Sequence, residues 1–410
     1  MVVRIYLRDF ILCKYRIFGR LLRYLGMQYD FSTEAFPRGT NSVKWDTRPD
    51  VLPMWVAEMD FPVAPFIIDA VRRRVEAAAF GYTLIPETYY RSVQDWFRKR
   101  YSWEFDREDI IPIQGIVPAV SVAVKALTEP GDKVVFFTPA YNCFFHNITN
   151  PGAVENPSVL VWNPEKKRYD PNWDDFAARI ADPATKAFLL CNPHNPTGRL
   201  WSREELLRMG EICRQHGVPV ISDEIHCEIV APGSSYTPFA TLFPQDCVSM
   251  VSPTKPFSMA GLQIADIICA NTAIREKLDR VINIWEHCDV NQLGIVALQA
   301  AYTPEGEEWL RQMNEVVHGN FLLLRERFAA EFPSVRVAEL QATYLGWLDF
   351  SGLGLSGMQI QNHLLEKEKL WINAGDIYGD PACMRINYAC PRSTMGKALD
   401  LYVNGIRELL

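Results

Sequence analysis

Short apolar runs alternate with stretches of helical periodicity through the middle of the chain. Between the apolar runs, hydrophobic residues recur every three or four positions, as in amphipathic helices. This alternation predicts βαβ units, and therefore a mostly parallel sheet with helices on its faces. The predicted strands are Lys133–Phe137, Lys186–Cys191, Val218–Ser222, Cys247–Ser252 and Ala265–Ala270.

One helix has a clear start and a clear end. Ser202 followed by Glu205 is a capping box, in which each side chain bonds the backbone N–H of the other residue. Trp201 and Leu206 have the spacing of a hydrophobic staple around this start. Gly217 suits the position just past a helix end, so the helix is predicted to lie between these signals.

The pattern changes near Asn314, after which it predicts helix, strand, helix and a final amphipathic helix. The expected fold is α/β, with a large domain of residues 76–313 around the mostly parallel sheet. Residues 314–410 are expected to form a smaller α+β domain together with an N-terminal arm of residues 27–75.

The first 26 residues differ from the rest, with six lysine or arginine residues and one acidic residue. They contain no uninterrupted apolar segment of the kind found in a secretory signal. A cationic helix on a membrane surface is one interpretation. The preferred hypothesis is that Met27 is the true start and that residues 1–26 are an upstream extension.

Composition limits the classes of protein to which this chain can belong. The chain has 410 residues, is 48% hydrophobic and carries a formal net charge of −7, which argues against a nucleic-acid surface. It contains no run of 18 apolar residues, so no membrane span is predicted. The ten cysteines are scattered, which predicts reduced thiols in a cytoplasmic protein. Cys143 and His146 have the nearest metal-like spacing but lack partners, so no metal site is predicted.

Polar side chains follow the predicted strands. Tyr141, Asn195, Asp223 and Lys255 each come shortly after a different strand, and Gly115 opens a helix after the run Ile110–Ile113. Ligands of open α/β sheets bind beyond the carboxyl ends of the strands, so these five residues are expected to meet in one crevice. A glycine at a helix start also exposes backbone N–H groups that bind anions.

One cofactor, pyridoxal 5′-phosphate, requires all of these groups together. Its aldehyde needs an amine, its pyridine nitrogen needs a buried carboxylate and its phosphate suits a helix N-terminus. Taken singly, each residue has an ordinary structural interpretation. Asp223 suits a helix cap, Asn195 suits a turn, Tyr141 suits the core, and Lys255 suits a proline-rich surface loop.

Longer motifs resemble a known family. "NPHNPTG", "SDEIH" and "SPTKPF" with "GLQ" resemble pyridoxal-phosphate enzymes of fold type I in the class I/II aminotransferase superfamily. The resemblance is strongest to the MalY/PatB-type cystathionine β-lyases, or C–S lyases. "LPMWVAEMDF", "TYLGWLDF" and "RINYACPRS" extend it over nearly the whole chain from Met27.

The resemblance implies catalytic and ring-binding roles. Lys255 is implied as the lysine that forms a Schiff base with the cofactor, and Asp223 as the partner of the pyridinium nitrogen. Tyr141 is implied to stack on the ring, and Asn195 to bond its phenolic oxygen. His226 occupies the place near that oxygen where many relatives have a tyrosine.

The resemblance also implies phosphate contacts and a homodimer. Gly115, Ile116, Ser252 and Thr254 are implied to hold the phosphate. Tyr82, in "FGY", is implied to reach the phosphate of the neighbouring subunit.

Arg385 is implied to bind the substrate α-carboxylate, a role that suits a bidentate guanidinium. Gln263 departs from the aminotransferase pattern, because a basic residue usually stands eight positions after the lysine. The leading interpretation is therefore a C–S β-lyase acting on cystathionine or related cysteine conjugates and yielding thiol, pyruvate and ammonia. A class I/II aminotransferase and a regulatory protein that contacts a transcription activator are the alternatives.

Overall fold

The fold is taken from a computed structural model, which describes residues 28–35 and 37–410. The hypothesis about residues 1–26 falls outside this part of the chain. The α-helices described are α1 (Val43–Asp46), α2 (Pro65–Glu76), α3 (Glu87–Tyr101), α4 (Ile116–Leu127), α5 (Cys143–Thr149), α6 (Trp173–Ile180), α7 (Arg203–Gln215), α8 (Thr272–Ile284), α9 (Gln292–Ala301), α10 (Pro304–Glu331), α11 (Gly357–His363) and α12 (Arg392–Leu409).

The strands of the same residues belong to three sheets. They are β1 (Leu52–Pro53), β2 (Ile110–Ile113), β3 (Lys133–Thr138), β4 (Val154–Asn163), β5 (Arg168–Pro171), β6 (Thr185–Cys191), β7 (Val220–Asp223), β8 (Cys247–Val251), β9 (Ala265–Ile268), β10 (Arg336–Val337), β11 (Leu345–Asp349), β12 (Leu370–Trp371), β13 (Asn373–Ala374) and β14 (Cys383–Asn387).

The largest sheet has eight strands in the order β2-β9-β8-β7-β6-β3-β4-β5. Its middle strands, from β8 to β4, are parallel, whereas β9 runs antiparallel to both β8 and β2. Two reversals restore the direction, so β2 points the same way as β8. The carboxyl ends of β2, β8, β7, β6 and β3 therefore lie at one edge. The predicted α/β fold with a mostly parallel central sheet is confirmed.

The central strands of this sheet are buried on both faces, and their side chains alternate between the two faces. On β3, Val134 and Phe136 enter one apolar cluster, while Val135 and Phe137 enter the other. Helices α4, α5 and α8 cover the face that carries Val134. A fully buried side chain of this kind contributes about 1.5–3 kcal/mol relative to an exposed one. The central strands are therefore a rigid base for the loops at their ends.

The remaining strands form a four-stranded antiparallel sheet, β10-β11-β14-β13, and a parallel pair of β1 with β12. The pair joins Leu52 to Leu370, so the N-terminal arm contacts the C-terminal part of the chain. Helix α10 runs across the expected domain boundary between residues 313 and 314. Division of the chain at residues 75 and 313 stays a proposal.

The predicted strands match the observed ones to within two residues at each end. The capping box of α7 is present: Ser202 Oγ accepts from the Glu205 amide at 3.2 Å, and Glu205 Oε2 accepts from the Ser202 amide at 2.8 Å. Gly217 follows this helix with a φ of 65°. In the described part of the chain, every helix is too short or too polar to cross a membrane.

Candidate active site

A cavity of about 210 Å³ opens where the central strands end. Of the predicted site residues, the structure brings eight to its wall. These are Gly115, Ile116, Tyr141, Asn195, Asp223, His226, Thr254 and Lys255. The loops that carry them follow β2, β3, β6, β7 and β8, as expected for a site at the carboxyl edge of an α/β sheet.

Asp223 is the last residue of β7 and is buried at the base of the cavity. Its Oδ1 accepts a hydrogen bond from the Ile225 amide at 3.1 Å. Burial raises the pKa of the Asp223 carboxyl to about 7, against the opposing effects of that amide and of Lys255. Burial therefore outweighs the charge of Lys255 at this carboxyl, and a cationic ligand group would favour its ionised form.

Lys255 lies in the turn after β8, between Pro253 and Pro256. The turn is closed by bonds from the Phe257 amide to the Pro253 carbonyl at 3.1 Å and from the Met259 amide to the Thr254 carbonyl at 2.9 Å. These bonds direct the amine into the cavity rather than to the surface.

The Lys255 amine donates to the carbonyl of Ala57 at 2.7 Å. Burial, followed by the nearby charge of Arg385, lowers its pKa to about 8. Glu58 and Asp223 oppose this shift. The amine is therefore close to its titration point at neutral pH, which is suited to a group that acts as nucleophile and base.

The start of α4 forms the far wall of the cavity. Gly115 has a φ of 141°, and a side chain placed there would meet only Pro118 within 4 Å. The glycine is therefore required by the backbone conformation and leaves open space above the first turn. The first N–H groups of a helix have no intrahelical acceptor, so this space suits an anion.

Two hydroxyls lie on the opposite side of this space. Thr254 lines the cavity, whereas Ser252 lies behind it. Ser252 Oγ donates to the Ile264 carbonyl at 2.7 Å and lies 2.7 Å from Thr254 Oγ1. The structure therefore places Thr254 on the wall and Ser252 as its support.

Arg385 lies on β14 and is buried beside the cavity. Its Nη1 donates to Asn195 Oδ1 at 3.2 Å, and its Nη2 donates to the Trp55 carbonyl at 2.9 Å. The guanidinium also lies 4.5 Å from the centre of the Tyr378 ring. Its Nε has no hydrogen-bond partner within the described residues, so one donor is free for a ligand.

His226 is buried three residues after Asp223, with its ring edge-on to Tyr344 at 5.9 Å between centroids. Burial, with Lys255 and Arg385 nearby, lowers the pKa of His226 to about 3, so the ring is neutral. Its Nδ1 lacks a hydrogen-bond partner in the part of the chain described. A buried polar atom without a partner is costly, and because His226 lines the cavity, a ligand bound there can supply the partner.

Tyr141 is partly buried, and its ring contacts Phe144 edge-on at 5.8 Å. Burial, followed by the neighbouring Cys143 thiol, raises the pKa of its hydroxyl far above the usual range. Tyr82, unlike the other predicted residues, is fully exposed, in the segment before α3, and it does not line the cavity.

The sequence did not indicate several groups that shape the site. The Trp55 carbonyl accepts from Arg385, and the Ala57 carbonyl accepts from Lys255. The Tyr344 hydroxyl also donates to the Ala57 carbonyl, at 3.0 Å. Backbone carbonyls leave no residue-type signal.

Comparisons with known proteins identify the family of the chain. The model of the family "Aminotransferase class I and II" matches residues 49–401. Cystathionine beta-lyase PatB of Bacillus subtilis is 37% identical over 387 residues, covering 91% of this chain and 98% of that protein. Protein MalY of Escherichia coli is 30% identical, covering 93% of this chain and all of that protein.

A solved structure, the PLP-bound C-S lyase from Staphylococcus hominis, superposes with a TM-score of 0.86 at 30% sequence identity. The match covers 93% of this chain and 98% of that one. Family model, relatives and structure thus agree over nearly all of the described residues. The chain belongs to the class I and II aminotransferase family, within the group that contains PatB and MalY.

Proposed function

We propose that this protein is a pyridoxal-phosphate-dependent C–S β-lyase. It cleaves cystathionine or related cysteine S-conjugates by α,β-elimination, giving a thiol (homocysteine from cystathionine), pyruvate and ammonia. The observation that carries this proposal is the single cavity that brings together the Lys255 amine, the Asp223 carboxyl and the open N-terminus of α4.

The residues present fit the cofactor. The cavity offers an amine of lowered pKa, a buried carboxyl and free backbone N–H groups, which match the aldehyde, the pyridine nitrogen and the phosphate. The unpartnered Nδ1 of His226 lies on the same wall. An apolar ligand would leave these groups unsatisfied, whereas the cofactor supplies a partner for each of them.

Each wall of the cavity has a proposed role. Lys255 bonds the aldehyde covalently, and Asp223 bonds the protonated pyridine nitrogen. Asn195 and His226 face the phenolic oxygen. Tyr141 covers one face of the ring.

The phosphate is bound by the first N–H groups of α4, at Gly115 and Ile116, and by the Thr254 hydroxyl. The Ser252 hydroxyl already donates to the Ile264 carbonyl, so Ser252 is proposed to act on the phosphate by positioning Thr254. Tyr82 is supplied by a neighbouring subunit.

Arg385 is proposed to bind the substrate carboxylate. Its Nε is free, and substrate can displace the Trp55 carbonyl from Nη2. Two parallel N–H bonds to a carboxylate fix its direction as well as its distance. This contact sets which Cα–H bond faces the Lys255 amine.

The bound cofactor supplies an electron sink that acidifies the Cα proton of the substrate. The Lys255 amine, once it is free of the cofactor, takes that proton. Its lowered pKa keeps a sizeable fraction in the basic form near neutral pH. Asp223, a buried carboxyl on the cavity wall, would hold a proton on the ring nitrogen of the cofactor. Loss of a thiolate from Cβ then completes the elimination.

The lyase is favoured over the aminotransferase on two observations. The relatives with the higher identities include one named cystathionine beta-lyase, and a structural neighbour is named a C-S lyase. Gln263 stands where aminotransferases usually carry a basic residue. It follows the turn of Ala260–Leu262 with a φ of 46° and is exposed at the cavity rim.

A homodimer is the proposed assembly. Phe80, Tyr82 and Leu84 are all exposed in one short segment before α3, and monomers rarely leave such residues in water. A second copy that covers this segment would bury the apolar rings and bring Tyr82 towards a phosphate site. Location in the cytoplasm stays a prediction from the cysteine pattern.

One assay separates the two enzyme reactions. Purified holoenzyme is incubated with cystathionine in the absence of any keto acid, and pyruvate and free thiol are measured. A lyase yields both products in equal amounts. Turnover that starts only after a keto acid is added would show an aminotransferase instead.

A further inference from the structure

The Ala57 carbonyl on the cavity wall is shared by two donors. It accepts from the Lys255 amine at 2.7 Å and from the Tyr344 hydroxyl at 3.0 Å. Ala57 and Lys255 line the cavity, whereas Tyr344 is fully buried and does not line it. A carbonyl oxygen has two lone pairs, so these two donors fill it. Among the residues described, no other donor reaches this oxygen.

The two donors differ in their freedom to move. The Tyr344 carbonyl accepts from the Tyr388 amide at 2.7 Å, and the Tyr344 ring lies edge-on to His226 at 5.9 Å between centroids. Tyr344 also directly precedes β11, whose five residues are all buried. The Lys255 side chain is a flexible four-carbon stem on a loop. The hydroxyl is therefore the fixed donor of the pair, and the amine is the donor that can leave.

The residue before Tyr344 has a strained backbone. Thr343 has a φ of 67°, a left-handed conformation that is an outlier for a β-branched residue. Thr343 is buried, and its amide donates to the Ile229 carbonyl at 2.8 Å. Its Oγ1 accepts from the Leu345 amide at 3.0 Å. Such conformations persist where the surroundings enforce them, and they concentrate at functional sites. The strain therefore supports a functional reason for the placement of Tyr344.

The proposed reaction requires Lys255 to change partners. Its nitrogen is bonded to the cofactor at rest, and it becomes a free amine when the substrate takes its place. While it is bonded to the cofactor, the nitrogen carries fewer hydrogens than the free amine and lies away from the Ala57 carbonyl. A buried acceptor that loses all of its donors is costly. The Tyr344 hydroxyl keeps a donor on this carbonyl throughout.

We propose that Tyr344 is a positioning residue for Lys255 and acts through the Ala57 carbonyl. Its hydroxyl keeps this carbonyl paired while Lys255 is bonded to the cofactor. It also holds the carbonyl in place as the acceptor to which the freed amine returns. The inference rests on the proposed function, since it requires Lys255 to alternate between the cofactor and the cavity wall.

The first test measures Lys255 without any cofactor. Tyr344→Phe removes the hydroxyl and keeps the ring. Two donors on one oxygen weaken each other, so the Ala57 carbonyl should then bind the charged form of Lys255 more strongly, and the pKa of Lys255 should rise. Competitive acetylation of the cofactor-free protein at several pH values, read by mass on the Lys255 peptide, should show a midpoint higher by about half a pH unit.

The other charged groups around Lys255 are common to both proteins. They are the Arg385 guanidinium and the Glu58 and Asp223 carboxyls, together with the Cys143 thiol. Arg385 and Glu58 also face the Tyr344 hydroxyl. Tyr344→Phe alters none of them, and the neutral His226 ring keeps its aromatic neighbour. A shifted midpoint therefore reports the shared carbonyl.

A stronger donor at the same position should give the opposite shift. A difluorinated tyrosine in place of Tyr344 has nearly the same shape and a more acidic hydroxyl. Burial raises the pKa of Tyr344 far above its usual range, so the hydroxyl keeps its proton after fluorination. The labelling midpoint of Lys255 should then fall below that of the wild type. A shift in the same direction as that of Tyr344→Phe would overturn the inference.

The second test measures cofactor binding. In Tyr344→Phe the Ala57 carbonyl has no donor while Lys255 is bonded to the cofactor, so the bonded state becomes less stable. We expect the dissociation constant of pyridoxal phosphate, from titration of the apoprotein followed by visible absorption, to rise about tenfold. Wild-type affinity or a wild-type labelling midpoint in Tyr344→Phe would overturn the inference, whatever the thermal midpoint of this variant.

Tyr402 provides the matched control. Its hydroxyl is also fully buried, in α12, and it has no hydrogen-bond partner in the described part of the chain. Tyr402→Phe removes a hydroxyl of the same kind far from the shared carbonyl. It should change neither the labelling midpoint of Lys255 nor the affinity for the cofactor. Equal changes in both variants would overturn the role assigned to Tyr344.

Failure of this inference can be told apart from failure of the proposed function. If borohydride reduction fixes the cofactor on Lys255 but Tyr344→Phe behaves as the wild type, the positioning role is overturned and the lyase proposal is untouched. If the cofactor is fixed on a different lysine, the proposed function is overturned, and the role of Tyr344 with it.

Discussion

Burial sets the charge of the two groups that bracket the proposed cofactor. It lowers the pKa of the Lys255 amine to about 8 and raises that of the Asp223 carboxyl to about 7. Each group is thereby less charged than it is in water, and the cavity is left without a compact ion pair. A ligand with one aldehyde and one basic ring nitrogen suits this pair of groups. The aldehyde can react with the neutral Lys255 amine, and the protonated ring nitrogen can pair with the Asp223 carboxylate.

The Asp223 carboxyl should make the cofactor-free protein less stable as pH rises. Unfolded aspartate ionises near pH 4, whereas the folded group holds its proton to about pH 7, so the free energy of unfolding falls between these values. Asp223→Asn should lack this loss, worth about 1.4 kcal/mol per pKa unit. Urea unfolding of the apoprotein at several pH values measures it.

The exposed Asp279 provides the matched control. Asp279→Asn should follow the wild-type pH profile throughout. A difference between Asp223→Asn and wild type that stays constant from pH 4 to pH 7 would contradict the assigned burial. With cofactor bound, Asp223→Asn should lose a thousandfold or more of pyruvate formation, because the ring nitrogen loses its acid.

Lys255 should set the pH dependence of cofactor loading. Only the neutral amine attacks an aldehyde, and with a pKa of about 8 the neutral fraction rises about tenfold per pH unit below that value. Stopped-flow loading of the apoprotein should therefore speed up from pH 6 to pH 8 and level off above. A rate that keeps rising to pH 10 would indicate an ordinary exposed lysine.

Arg385→Lys should weaken substrate binding and leave the cofactor in place. Lysine keeps the charge but loses the paired N–H donors, and loss of a buried charged contact costs about 2–5 kcal/mol. We expect kcat/KM for cystathionine to fall at least thirtyfold, with an unchanged visible cofactor spectrum. Arg203→Lys, on the exposed start of α7, should change neither quantity.

At the scale of elements, the sequence predicts five of the eight strands of the largest sheet, because their apolar runs are short and end in polar loops. The site residues could be predicted for the same reason, since Asp223 ends β7 and Lys255 lies in the turn after β8. The reversed direction of β9 could not, because a buried strand has the same composition in either direction. The hydrogen bond from Ser252 to the Ile264 carbonyl could not be predicted either, because a backbone carbonyl leaves no residue-type signal.

Two helical glycines make a paired test of packing. A side chain at Gly210, in α7, would overlap the Phe243 ring, whereas nothing lies within 4 Å of such a side chain at Gly396 in α12. Alanine favours a helix over glycine by about 1 kcal/mol. Gly396→Ala should therefore raise the thermal midpoint and Gly210→Ala should lower it. A rise in both thermal midpoints would show that the Phe243 ring does not pack against Gly210.

At the scale of the whole molecule, the role proposed for the exposed Tyr82 would link assembly to activity. If its hydroxyl serves a neighbouring subunit, a mixture of Tyr82→Ala and Lys255→Ala chains should regain activity. Each mixed dimer then holds one site with both residues. Unfolding and refolding the mixture together, followed by the pyruvate assay, measures this rescue.

Refolding each variant separately and mixing afterwards is the control, and should give no rescue if exchange is slow. Co-refolded mixtures that stay as inactive as the Tyr82→Ala chain alone would show that Tyr82 serves the site of its own subunit or has no role in activity. The exposed Phe80 and Leu84 beside Tyr82 predict in addition that the wild type sediments as a dimer.

Reductive trapping of the cofactor tests the proposed site most directly. Holoenzyme reduced with borohydride and digested should carry the reduced pyridoxal phosphate on the peptide that contains Lys255. The Asp223→Asn protein should still be labelled there. Cofactor attached to a different lysine, or no attached cofactor at all, would contradict the assignment of this cavity and the function built on it.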